Sequence, residues 1–206
     1  MASPAPAPTP APSLQQQLHW LMPLHFFYER QGQSLPEFTF LGGKEMPYPY
    51  RSMLVHENDM TPTLAAFHHS RLCLEVLQRE QSGDYLLRCV ILRRETDGLP
   101  VEFGAIGIHL GGFSPGVRRL IEDGQIPLGG ILGEHKVEHH GSPSAFFSVI
   151  ADDLTSSALI QPPGTLLYGR CNQLLDADGL AIADIVEILP RSGESEGWIE
   201  NAPVKS

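Results

Sequence analysis

Tyr85-Leu-Leu-Arg-Cys-Val-Ile-Leu-Arg-Arg94 runs into Glu95-Thr-Asp-Gly98, and Val101-Glu-Phe-Gly-Ala-Ile-Gly-Ile-His-Leu110 follows. The first run is rich in β-branched and large apolar residues and reads as a strand. Asp97-Gly98 is a pair that a tight hairpin turn favours, because Gly takes positive φ without steric cost. The second run therefore pairs back on the first, antiparallel. Upstream, Leu72, Leu74 and Val76 alternate with Cys73, Glu75 and Leu77, which predicts a strand over 71–79, and Gln81-Ser-Gly-Asp84 turns it into Tyr85. Downstream, Gly111-Gly112 breaks the strand, and Ser114-Pro115 opens a short helix through Val117–Ile121. A glycine-bounded loop over Gly124–Gly130 leads to a second short helix. Strands are predicted at 135–150, 165–176 and 179–189, with Asp176-Ala-Asp-Gly179 as the last turn. Six strands, mostly joined as hairpins, with helices gathered at two points, define an α+β class with an antiparallel sheet rather than an alternating βαβ fold.

Before the first strand, Ser13 is placed to cap a helix through Leu14, Leu18, Leu21 and Met22, with Pro23 disturbing it. Residues 35–50 read as loop or short strand. Asp59 or Thr61 is a candidate N-cap, with Pro62 in the first turn of a short helix through Leu64, Ala65, Phe67 and His68. The opening Met-Ala-Ser-Pro-Ala-Pro-Ala-Pro-Thr-Pro-Ala-Pro-Ser13 has neither a basic region nor an apolar run, so it does not read as a secretory signal, and without Arg it makes a poor transit peptide. It reads as a disordered, polyproline-like lead. The expected organisation is a lead over 1–13, an accessory segment over 14–50, one main domain over 51–190 and a flexible tail over 191–206.

The 206 residues are 42% hydrophobic and 18% charged, a globular balance with enough apolar mass for a buried core. A net charge of −10 argues against a general nucleic-acid or membrane-surface binder, since phosphates attract a basic footprint. It leaves room for a small anionic ligand, which needs only a local cation. The stretch 61–100 is itself charge-balanced. No apolar run approaches the roughly 18 residues of a spanning helix. Cys73, Cys89 and Cys171 are scattered, and no Cys-x-x-Cys occurs, so reduced thiols and a cytoplasmic setting are expected.

Motifs for common chemistries are missing. Gly104, Gly107, Gly111 and Gly112 do not form a dinucleotide or phosphate loop, and no Gly-x-Ser-x-Gly elbow occurs. His135 and His139, read on one strand, lie about 13 Å apart, too far for one zinc. They read as a solvated strand edge. Two charges stand out. Arg88 shares a strand face with Leu86, Val90 and Leu92, and a charge there must be paired or bind something. Glu187 shares a face with Ala181, Ala183, Ile185 and Leu189, and the alanines leave space beside its carboxylate. From patterning alone, a strand end in solvent or a plain buried ion pair is the plainer explanation of each.

Five segments, in order, resemble the chorismate lyase family. They are Asn58-Asp-Met60-Thr before a short helix, Tyr85–Leu92 with its Arg88, Gly98-Leu-Pro-Val101, Gly124-Gln-Ile-Pro-Leu128-Gly129, and Gly169-Arg170 leading to Asp184-Ile-Val-Glu187-Ile-Leu-Pro190. Their order and spacing over residues 50–190 carry the resemblance, since no single motif is specific. It implies a six-stranded antiparallel sheet with helices on one side and helical lids, near 60–69 and 113–133, over an enclosed pocket. It implies a monomeric enzyme that eliminates pyruvate from chorismate to give 4-hydroxybenzoate for ubiquinone or plastoquinone synthesis, without cofactor or metal. Arg88 would bind the substrate carboxylate, helped by the backbone N–H groups of Met60 and Leu128, whose side chains double as walls. Glu187 would lie near the ring oxygen that becomes the phenol, its pKa raised by an apolar wall, as proton donor or hydrogen-bond partner. Cys89 departs from the pattern, standing where a family member can have an acidic residue. The alternatives are a non-catalytic aromatic-acid-binding module of related fold, like the effector half of GntR-type repressors, or a lyase giving 3-hydroxybenzoate. Only Arg30 and Lys44 are basic before Arg51, which argues against a DNA-binding half in that stretch.

Overall fold

A computed structural model describes residues 12–192. In it the central hairpin forms as read. β3 (Tyr85–Arg94) and β4 (Pro100–His109) pair antiparallel, with Arg88 opposite Ile106 and Val90 opposite Gly104. Gly98 turns the chain at φ +73°. β2 (Leu72–Ser82) flanks β3 with a bulge between Val76 and Gln78. β5 (His139–Ile150), β6 (Leu166–Asp176) and β7 (Ala181–Leu189) complete the predicted strands.

The sheet has seven strands, not six, in the order β1-β5-β6-β7-β4-β3-β2. The additional one is β1 (Phe38–Leu41), whose Phe38 and Phe40 face Val149 and Phe147 across the β5 edge. Residues 135–138 are not strand. A helix occupies Leu128–Glu134, His135 caps it, and Lys136 turns at φ +52°, so β5 begins only at His139.

Helices lie on one face and short lid-like helices on the other, because β3, β4 and β7 are apolar on both sides and each side needs cover. On the back, α2 (Met22–Arg30) lies on β3, β4 and β7, and α7 (Asp153–Leu159) lies on β4. Leu24, Phe27 and Leu159 pack there against Leu87, Cys89, Phe103 and Val186. α7 starts from a capping box in which Asp152 and Thr155 satisfy each other's backbone N–H groups, an arrangement typically worth about 1 kcal/mol. Tyr28 donates a 2.6 Å hydrogen bond to the same Asp152, tying the two back helices together. Ahead of α2, α1 (Leu14–Trp20) is capped by the Ser13 hydroxyl, and the two helices break at Leu21 before Pro23.

On the front lie α3 (Tyr50–Leu54), α4 (Met60–Phe67), α5 (Pro115–Asp123) and α6 (Leu128–Glu134). α5 is capped by Ser114 and ended by Gly124 in the left-handed region. The chain thus builds a closed back core and a front face on which four short helices sit over the central strands. The expected lead and tail fall largely on residues 1–11 and 193–206, outside the described residues. Among the described residues no helix is long and apolar enough to cross a membrane.

Candidate functional site

Alternation decides which residues reach the front. On β3, Leu87, Cys89 and Ile91 enter the back core, so Leu86, Arg88, Val90 and Leu92 turn forward. Register then carries that face across the sheet. Gly104 opposes both Val90 and Glu187, and Glu187 opposes Arg170. Between this face and the first residues of α4 and α6 lies a cavity of about 70 Å³. Met60, Arg88, Leu128 and Glu187 all line it, joined by Asp59, Val90, Leu92, Glu102, Ile106 and Asn172. Met60 and Leu128 are the first residues of their helices, both buried. Cys89 faces away from the cavity, into the back core, where burial pushes its thiol up to about 12. The change of residue type there does not touch the site.

Arg88 is 2% exposed. One terminal nitrogen donates to the Ile121 carbonyl at 3.2 Å, and its Nε has no partner. No carboxylate pairs with it among the described residues. Burial, and then the charge of Arg79, lower its pKa to about 10, which still leaves it a cation at neutral pH. Arg88 also borders a second hollow of about 320 Å³, lined by Arg79, Asp123 and Gly124, and so stands as the partition between the two.

Glu187 is not set against an apolar wall as expected. It pairs with Arg170 Nε, and both side chains are buried. Arg170 further donates to the carbonyls of Leu54, His56 and Asn58 at 3.2, 2.9 and 3.3 Å. One guanidinium therefore fixes Glu187 and ties the segment leading into α4 to the sheet. His56 lies in that segment, and burial, then the Arg170 charge, lower its pKa. By strand spacing and rise, the Cα positions of Arg88 and Glu187 are about 12 Å apart, two strands over and two residues along.

Glu102 also lines the cavity, 5% exposed, with no partner for its Oε2. Burial, then the neighbouring Glu187 carboxylate, hold its pKa well above the ordinary range, against the opposing pull of Arg170. Asn172 is buried beside the cavity with its Oδ1 unpartnered. None of Glu102, Arg170 and Asn172 is singled out for a role by sequence reasoning. The signal was available for the two charges, because each alternates with apolar strand residues as Arg88 does.

His139 does not sit on a solvated edge. Its Nε2 meets both carboxylate oxygens of Asp59 at 3.0–3.1 Å, fastening the start of β5 to the residue before α4. Among the described residues, no three His, Cys, Asp or Glu side chains are grouped to hold a metal ion.

The arrangement is an α+β domain with an antiparallel sheet and a pocket on one face, similar in fold to an effector domain. The particular likenesses are to PhnF from Mycobacterium smegmatis and to its effector domain solved alone. Whole PhnF superposes with a TM-score of 0.52 at 13% identity, over 68% of this chain and 66% of that one. Its effector domain gives 0.51 at 13% identity, over 65% of this chain and 88% of that one. A GntR-family transcriptional regulator from Bacillus cereus gives 0.44 at 12% identity, over 62% and 98%. The chain thus spans just under two thirds of whole PhnF. No family model matches the chain, and no curated protein does. At such identities the likeness carries the fold alone.

Proposed function

We propose that this chain binds a small ring carboxylate in the front cavity. The observation that carries the reading is Arg88, a buried cation with an unpartnered Nε and no carboxylate of its own. A buried unpaired charge costs stability, and a guanidinium fork matches a carboxylate with two parallel hydrogen bonds. Val90, Leu92, Ile106 and Leu128 supply apolar walls for a ring. Glu187, held by Arg170 behind it, supplies a polar contact at the opposite end. The described cavity, at about 70 Å³, is smaller than the roughly 150 Å³ that holds a benzene ring. α4 and α6 therefore swing outward to admit the ligand. The fold's likeness to an effector domain supports binding as the primary role.

Isothermal titration with 4-hydroxybenzoate, on the wild type and on Arg88→Met, tests this. Binding by the wild type, weakened at least about 30-fold in the variant, is expected, since a hydrogen bond to a charged group contributes roughly 2 kcal/mol or more. Absence of binding, or equal binding by both proteins, overturns it.

A second reading is turnover of chorismate, favoured by Glu187 facing the same chamber as Arg88 from its far end. The ring carboxylate would sit on Arg88. The bond from the ring carbon to the enolpyruvyl oxygen breaks, its electron pair leaving with that oxygen. A ring proton is lost as the ring becomes aromatic, and the departing enolpyruvate gains a proton to become pyruvate. Glu187 would hold the ring oxygen that becomes the phenol. The driving force lies in the substrate, so the chain's work is positioning and charge placement. Chromatography after incubation with chorismate distinguishes the outcomes. 4-Hydroxybenzoate with pyruvate supports the lyase, 3-hydroxybenzoate identifies the isomeric lyase, and unchanged chorismate leaves binding alone.

A further inference from the structure

Glu102 is the acid that the cavity leaves unspoken for. It stands on the front face of β4 beside Leu92 and one residue pair from the Gly104–Glu187 match. Gly104 makes room for it, since a Cβ there would stand 3.1 Å from Glu102 Oε1. The one nearby cation, Arg170, is taken by Glu187 and three backbone carbonyls. Among the described residues Glu102 therefore has no counter-ion of its own, lies beside another carboxylate and is shut from water. Under those conditions a carboxyl group keeps its proton. A protonated carboxyl carries one O–H donor. Its Oε2 finds no acceptor among the described residues, and the cavity is the space beside it.

We infer that Glu102 is a ligand-contacting, specificity-determining residue, donating a hydrogen bond from its carboxyl group to an uncharged oxygen at the end of the ring ligand remote from Arg88. The inference rests on the reading of the cavity as a ring-carboxylate site. It narrows the ligand class to a ring with one carboxylate and a hydroxyl or ether oxygen at the far end. A second carboxylate there meets the charged Glu187 and is rejected, so Glu187 selects by repulsion where Glu102 selects by attraction.

Titration of benzoate, 4-hydroxybenzoate and benzene-1,4-dicarboxylate into the wild type, Glu102→Leu and Glu102→Gln tests it. The wild type is expected to prefer 4-hydroxybenzoate over benzoate about tenfold, the size of one net hydrogen bond, and to bind the dicarboxylate more weakly than either. Glu102→Leu should bind the two monocarboxylates alike. Glu102→Gln, which keeps an N–H donor, should retain most of the preference. A Glu102→Leu protein with the wild-type preference overturns the inference while leaving the pocket reading intact. A wild type that binds none of the three overturns the pocket reading, and this inference with it. Infrared spectroscopy keeps the test independent of how Glu102→Leu folds. At neutral pH the wild type should show a protonated-carboxyl band that is missing in Glu102→Gln and that shifts on adding 4-hydroxybenzoate but not benzoate. A wild type without that band overturns the inference.

Discussion

Arg170 on β6 and Glu187 on β7 stand directly opposite each other, and their buried side chains pair on the cavity floor. Removing one partner is costly because the other is left charged and dry. Arg170→Met should lose about 3–5 kcal/mol in denaturant unfolding. It strands Glu187 beside Glu102 and frees the carbonyls of Leu54, His56 and Asn58. The double variant Arg170→Met/Glu187→Leu should regain a good part of the loss, since no charge then remains unpaired. A double variant no more stable than the single one contradicts this account.

Arg88 presents the opposite case, a cation without a partner. Its one hydrogen bond among the described residues, to the Ile121 carbonyl, is worth about 1 kcal/mol, which the cost of burying the charge offsets. Arg88→Met should therefore unfold within about 1 kcal/mol of the wild type, or above it. The rise in stability that 4-hydroxybenzoate gives the wild type, about 2.7 kcal/mol at a hundred times its Kd, should fall below about 1 kcal/mol in the variant at the same ligand concentration. Thermal unfolding with and without ligand separates the two effects.

Glu102 makes stability depend on pH. Its folded pKa is raised above the ordinary value of 4.5, so the folded state binds a proton that the unfolded chain gives up. Stability from this group is fully present below pH 4.5 and is lost as pH rises toward the folded pKa. Glu102→Gln removes the titration. Relative to the wild type, the variant should gain stability as pH rises above 4.5 toward the folded pKa. Chemical denaturation across that range measures the slope, and a constant difference contradicts it.

Gly141 tests how the α4 lead-in is held. Its N–H donates to the Glu57 carbonyl at 3.2 Å, and a Cβ at this position would lie 2.5 Å from that same oxygen. Gly141→Ala must push residues 56–59 away from the sheet, at about 1–3 kcal/mol. Hydrogen exchange in α4 should quicken, and affinity for the ring carboxylate should fall. Unaltered exchange in α4 counts against this role.

The sheet was legible where patterning and turn chemistry agree. Asp97-Gly98 and Asp176-Ala-Asp-Gly179 mark hairpins that form as read, with Gly98 and Gly179 at positive φ. β1 was not legible, because four residues alternate too briefly, and Phe38 and Phe40 become strand by lying against β5. β5 was read four residues too early, because nothing in His135-Lys136 announces that α6 persists until Lys136 turns left-handed. Arg88 and Glu187 were found by asking which charges sit among apolar strand residues. Glu102 and Arg170 pass the same test, but only the β4–β7–β6 register shows that Glu102 and Glu187 share a chamber with Arg88 and that Arg170 stands beside Glu187. Pairing is long-range information, and the alternation of a single strand does not contain it.

Alternation also means that every charged strand residue of the chamber is one peptide from the back core. Arg88 lies between Leu87 and Cys89, and Glu187 between Val186 and Ile188. A slip of β3 by one residue would drive Arg88 into the oil of the back layer and leave Cys89 in the chamber. The same holds for Arg170, flanked by Gly169 and Cys171, where a Cβ on Gly169 would already strike the Glu187 carbonyl at 2.3 Å. The buried charges therefore serve as reading-frame marks for the assembling sheet: a chain that mispairs by one position forfeits both its core and its chamber, so the ligand site polices the fold that carries it.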